Sequence, residues 1–153
     1  MTDREVRVGE IVAWRYWRVV GGIWRGPLTI WSSAVPMDWT PGRPMTGYPA
    51  RLPRLFMTTA YGEGIHAYEN REEAWLNAVK SDHSFLVIGT VWLWGHIILH
   101  ERGYRAEFAY PRSFDGVRFP GLRFKWIKRR VFGRLDATYL GANSPMTALK
   151  EDQ

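Results

Sequence analysis

The stretch "VWLWGHIILHERGYRAEFAYP", residues 91–111, decides the fold class. It sets β-branched and aromatic residues on both sides of Glu101-Arg102-Gly103. Such residues favour a pleated, half-buried surface, and a short polar segment ending in glycine fits a three-residue hairpin loop. That loop places His100 opposite Tyr104, Ile98 opposite Ala106, His96 opposite Phe108 and Trp94 opposite Tyr110, all on one side of the sheet. Leu99 with Arg105, and Ile97 with Glu107, fall on the other. The aromatic side reads as core and the Arg105/Glu107 side as half polar. A bulge at Gly95 would flip the upstream register and exchange the sides of Trp92 and Trp94.

Upstream, "GEIVAWRYWRVVGGIWRGPLTIWSS" has the composition of strands, with Gly21-Gly22 as a two-residue turn signal. A tight turn there puts Val20 opposite Ile23, Val19 opposite Trp24 and Arg18 opposite Arg25. A further strand over 28–32 follows. Residues 36–55 carry five of the nine prolines, a density that leaves no regular element. "HAYENREEAWLNAVKSD" predicts a helix over 71–81. Asn70 is placed to cap it, Glu73 completes a capping box, and acids fill the first turn. Ala74, Trp75, Ala78 and Val79 form its packing stripe, and Trp75 and Leu93 are expected to be buried. Downstream, Leu122, Phe124 and Trp126 alternate with Arg123 and Lys125, the pattern of another strand. The expected architecture is mainly β (α+β): an antiparallel twisted sheet or small barrel with one packed helix. A single domain spans 1–140, and 141–153 reads as a frayed tail.

Length and composition bound the rest. A chain of 153 residues fits one complete core. Nine tryptophans are unusually many, and the formal charge of +6 favours anionic partners. The absence of cysteine excludes disulfides and thiolate metal sites. "MTDREVRVGE" lacks the apolar run of a signal peptide, and the longest apolar runs fall short of the roughly 20 residues that span a bilayer. The expectation is a cytoplasmic protein without a membrane partner.

The candidate chemistries are unequally supported. His96 and His100, if on a strand, lie roughly 13 Å apart, too far for one zinc, and "HERGY" lacks the second histidine of His-Glu-x-x-His. No metal and no cofactor is expected. His100, Arg105 and Glu107 share one hairpin and supply the groups that acid–base chemistry needs, yet His100 and Glu107 point to opposite faces in the register above. Residues 118–134, "RFPGLRFKWIKRRVFGR", hold seven basic residues, no acidic one, and interleaved aromatics. Charge can follow phosphates while rings stack on bases. The same run also reads as a solvated basic face over core aromatics. Arg18 opposite Arg25 would be an unfavourable pair that a bound anion relieves.

The run "GTVWLWGHIILHERGYRAEFAYP", preceded by "GIHAYENREEAW", resembles a group of uncharacterised actinobacterial and phage proteins. The matching residues are Gly64, Ile65, Ala67, Trp94, Gly95, His100, Glu101, Gly103, Tyr104, Arg105, Ala106, Glu107, Tyr110 and Pro111. The resemblance covers about a third of the chain and carries no activity with it. Similar sequences often have cysteines just before the Gly-Ile segment, where this chain reads "TTAYGEGIHAY".

The functional expectation is a non-enzymatic binding module for an anionic partner, nucleic acid or nucleotide first. Its candidate ligand-binding residues are Arg18, Arg25, Arg105, Glu107, Arg123, Lys125, Trp126, Lys128, Arg129 and Arg130. The alternative is a phage-type or regulatory factor that blocks an acidic protein surface through Trp and Arg. An enzyme using His100, Arg105 and Glu107 comes third.

Overall fold

In the computed structural model the described residues are 4–8, 10–21, 28–32, 38–46, 65–81, 85–101, 103–118 and 125–146. Among these residues eight strands form one antiparallel sheet: β1 (Arg4–Val8), β2 (Ile11–Val20), β3 (Thr29–Trp31), β4 (Asp38–Trp39), β5 (Met45–Thr46), β6 (Ile65–Tyr68), β7 (Leu86–His100) and β8 (Gly103–Arg118). The order is β1-β7-β8-β6-β2-β3-β4, with β5 also on β8. Because β2 pairs with β7 as well as with β6, strands β7, β8, β6 and β2 close into a ring-like part. Among the described residues two helices flank the sheet, α1 (Arg71–Lys80) and α2 (Lys125–Tyr139).

The long β7–β8 hairpin is the axis of the fold, and its register differs from the expected one by a residue. His100 pairs with Gly103, Leu99 with Tyr104, Ile98 with Arg105 and Ile97 with Ala106. The loop is therefore two residues, not three. The register then shifts between Trp94 and Ile97, so Trp94 faces Phe108 and Trp92 faces Tyr110. Gly95 sits in that bulge at φ +79, a backbone state that side-chain-bearing residues rarely adopt. Gly103 is needed for another reason: a Cβ there would overlap the carbonyl of Ala67 on β6. Bare backbone at 103 is what lets β6 reach β8 and the ring close.

The main core gathers Ala13, Trp17 and Val19 from β2, Ile30 and Trp39 from β3 and β4, Val87, Val91, Leu93 and Ile97 from β7, and Tyr110 from β8. Helix α2 covers it with Ile127, Val131, Leu135 and Tyr139, a row spaced by four that keeps one face inward. Leu86 and Ile88 are buried but lie outside this cluster, on the other side of β7 from Val87. There α1 packs, burying Ala74 and Ala78. The two helices thus sit on opposite sides of β7.

Local chemistry fixes α1 as expected. The Asn70 side chain accepts a hydrogen bond from Glu73 N at 2.9 Å, and Glu72 and Glu73 fill the first turn. Arg71 pairs with Asp115 of β8 at 2.6 Å, while Arg118 donates to the Val79 carbonyl at 3.1 Å. Both ends of α1 are tied to β8. Leu93 is fully buried, but Trp75 is only half-buried, with Arg71 stacked 5.8 Å from its ring, and Val79 is exposed. The helix is short, and its alanines approach the sheet more closely than its larger side chains can.

Other expectations are corrected. Val20 pairs with Thr29 and Arg18 with Trp31, whereas Ile23, Trp24 and Arg25, the partners expected across a tight turn at Gly21-Gly22, lie outside the described residues. The other edge of Arg18 is taken by Leu86. The proline-rich stretch holds two short strands, β4 and β5, because Trp39 is a core residue that anchors it. The expected strand through Leu122, Phe124 and Trp126 is not formed at its C-terminal end, where Trp126 belongs to α2; Leu122 and Phe124 lie outside the described residues. Residues 141–143 form a 3-10 turn and Met146 is buried, so the described part of the expected tail is ordered structure.

Polar groups inside this core are mostly satisfied by one another. The Tyr139 hydroxyl donates to the Trp39 carbonyl at 2.7 Å and accepts from Ile30 N at 2.9 Å. The Tyr110 hydroxyl donates to the Tyr139 carbonyl and accepts from Gly42 N, each at 2.8 Å. These bonds lock the end of α2 onto β3, β4 and β8. Arg15, on the same side of β2 as Ala13 and Trp17, donates to the His66 carbonyl and, at 3.0 Å, to Ser32 Oγ. Its guanidinium lies 5.1 Å from the Trp39 ring. Burial pulls its pKa down to about 10, against the opposing pull of Tyr68 and Tyr16.

Candidate anion-binding surface

Helix α2 turns its buried row toward the sheet and leaves the rest of its circumference outward. Trp126, Arg129, Arg130 and Gly133 fall at i, i+3, i+4 and i+7, hence on one face, and all are exposed. Lys125 and Lys128 flank them, also exposed, and Arg134 is half-buried beside them. Trp126 keeps 51% of its surface in contact with solvent, the most of any described tryptophan. Lys128 Nζ lies 5.7 Å from the Phe132 ring, so part of this charge is laid across aromatic surface. The first acid along the helix is Asp136.

The charge order runs against the helix dipole. The first turn contains Lys125 and Lys128 and no acidic residue. The N-terminal end of a helix carries partial positive charge, so each cation there costs about 0.3–1 kcal/mol. Arg129 and Arg130 follow within the next turn. An anion against this face would be favoured by the dipole and by four side chains together.

Of the candidate residues, the structure brings Lys125, Trp126, Lys128, Arg129 and Arg130 together on one helix. Arg25 and Arg123 lie outside the described residues. Arg18 is exposed on β2, and Arg105 and Glu107 are half-buried on β8. Arg105 is flanked by Ile98 on one strand and His66 on the other. Glu107 lies across from the Gly95 bulge. These three belong to elements other than α2, so the ten candidates do not form one site. Among the described residues no group of three His, Cys, Asp or Glu side chains could hold a metal ion. None of the described helices is long and apolar enough to cross a membrane.

A second cationic feature escapes a reading by residue type. Arg112 on β8 lies over the Trp92 ring at 5.2 Å, beside an open groove that runs to the 3-10 turn. Its signal in the sequence is faint: a single arginine after Pro111, with its aromatic partner on the opposite strand of the hairpin. No family model, curated protein or solved structure matches this chain.

Proposed function

We propose that the protein is a non-enzymatic binding module whose α2 face takes an anionic polymer, nucleic acid before any other. One observation supports this above the rest: α2 exposes a tryptophan among four cations, at the helix end where cations are least favourable. Solvation alone gives no reason to gather lysines at the positive end of a dipole, and the half-exposed Trp126 among them offers a ring to a base. Phosphates would neutralise the charge while Trp126 stacks on an unpaired base, an interaction worth about 1–3 kcal/mol.

Titration of labelled single- and double-stranded oligonucleotides at two salt concentrations tests the reading. Affinity should fall steeply with salt. Each phosphate that a cation neutralises contributes about 0.7–0.9 to the log–log slope, so Lys128→Glu/Arg129→Glu/Arg130→Glu should flatten it by about 2–3. Trp126→Ala should weaken single-strand binding more than duplex binding. Absence of saturable binding near physiological salt would sink the proposal. The exposed Trp126 and its arginines also suit a protein interface, where those two residue types dominate. An acidic protein partner is therefore the second reading, favoured if oligonucleotide binding is weak and unsaturable.

A further inference from the structure

We infer that the groove between the Arg112–Trp92 pair and residues 141–146 is a separate site for a small ligand: an oxyanion, phosphate or carboxylate, carried on an apolar body. The groove encloses about 410 Å³ and is open to solvent. That volume lies within the range of small-ligand pockets, roughly 300–1,000 Å³.

Its polar side is organised around a cation. The exposed Arg112 guanidinium rests on the Trp92 ring, 5.2 Å from its centroid. A cation over an indole face is attracted by the ring, and a guanidinium carries five N–H donors suited to a fork of bonds to an oxyanion. Among the described residues the hydrogen bond of Arg112 is long, 3.4 Å from Nη1 to Thr90 Oγ1. Among the described residues no carboxylate pairs with it. An arginine over a ring, with a long hydrogen bond and no carboxylate partner among the described residues, suits an anion. Beneath it, Thr90 and Ser113 share a hydroxyl contact of 2.5 Å, and one of the two hydroxyls has to act as donor to the other. Ser113 lines the same groove, as does Ser144, and a hydroxyl can accept from one partner while donating to another.

The other wall is apolar. Pro111, Leu140 and Met146 line it, and Met146 is almost fully buried, so the wall is firm. Inorganic phosphate would satisfy only the arginine, whereas an oxyanion with a flat apolar body would also cover this wall. The site is distinct from the α2 face. It takes only Leu140 and later residues from that end of the chain, about 18 Å along the helix from Lys128 at 1.5 Å per residue.

Calorimetric titration with adenosine monophosphate, benzoate and inorganic phosphate tests the assignment on the intact chain. Adenosine monophosphate or benzoate should bind saturably below about 10 mM, more tightly than phosphate, and whichever wins names the oxyanion. Arg112→Gln, at an exposed position where the fold is not at stake, should weaken that binding about ten- to a hundred-fold, the worth of a charge-assisted bond. Ser113→Ala should weaken it less. Lys128→Glu/Arg129→Glu/Arg130→Glu should leave it unchanged, which separates this site from the nucleic-acid face. No saturable binding by any of the three compounds overturns the inference. So does binding that survives Arg112→Gln, or binding abolished by the α2 reversals instead.

Discussion

Helices α1 and α2 lie on opposite sides of one strand and are held there by different means. In α1 the instructions are local: a capping asparagine, acids in the first turn and Lys80 in the last. Each agrees with the dipole, so α1 is a helix by its own sequence before any packing. In α2 the local charges oppose the dipole, a glycine interrupts the middle, and no acid occupies the first turn. What makes it helical is the row Ile127, Val131, Leu135 and Tyr139 sunk into the main core. The helix whose charges agree with its geometry keeps those charges for stability. The helix whose charges disagree must draw stability from packing, and its surface is then available for something else.

The largest expected effect tests that contrast directly. Leu135→Ala removes a fully buried side chain from the α2 row and should cost about 2–5 kcal/mol in a denaturant melt. Leu76→Ala on α1 removes a side chain that is 53% exposed, and surface changes of that kind stay within about 0.5 kcal/mol. Comparable losses at the two positions would mean that α2 is not the more packing-dependent helix.

A smaller effect should come from the last residue of α2. Tyr139→Phe strands the Trp39 carbonyl and Ile30 N–H in the core, at a cost of about 1–3 kcal/mol. Its pH dependence has a definite sign. Burial raises the Tyr139 pKa well above the ordinary 10.0. The unfolded chain therefore loses this proton first, so the contribution is complete below pH 10 and declines as pH rises beyond it. Arg15 acts oppositely, since its depressed pKa of about 10 against 12.5 makes folding more favourable above pH 10. Wild type and Tyr139→Phe both contain Arg15, so the difference between them isolates the tyrosine. Unfolding free energies from about pH 8 to 11, either side of the ordinary tyrosine range, should converge as pH increases. A constant gap would show that the hydroxyl is not held protonated by the fold.

The same contrast explains how much of the molecule is legible in its sequence. Local signals are legible. Asn70 and Glu73 mark α1, and the composition of 91–111 marks the long hairpin with its bulge at Gly95. Signals set by distant contacts are not. The expected hairpin register slips by one because Gly103 reads as a loop glycine, whereas its lack of a side chain serves the approach of β6. Trp39 lies in a proline-rich stretch whose β4 depends on Ser32 Oγ accepting from the indole at 2.8 Å, a partner no spacing reveals. The α2 segment reads as strand because Leu122, Phe124 and Trp126 alternate, while the buried row of the described helix is Ile127, Val131, Leu135 and Tyr139. The basic, aromatic character of its surface is visible nonetheless, since charge and residue type survive an error in secondary structure.

The smallest effects bring stability and surface into one comparison. Asn70→Ala should remove about 1 kcal/mol from the protein by unsatisfying the first turn of α1. On α2 the corresponding local change should act in the other direction. Gly133 lies within the helix, has no positive φ, and a Cβ there would meet nothing within 4 Å. Alanine loses less backbone freedom on folding, so Gly133→Ala should stabilise the protein by about 0.5–1 kcal/mol. A helix with unhelpful charges carries a residue that weakens it further, on the face that holds Trp126, Arg129 and Arg130. If a polymer backbone approaches closely at that point, oligonucleotide affinity should drop in Gly133→Ala while the melting temperature rises. If affinity stays the same as stability increases, the glycine is only a weak point of the helix, and a polymer bound along α2 would end before the third turn.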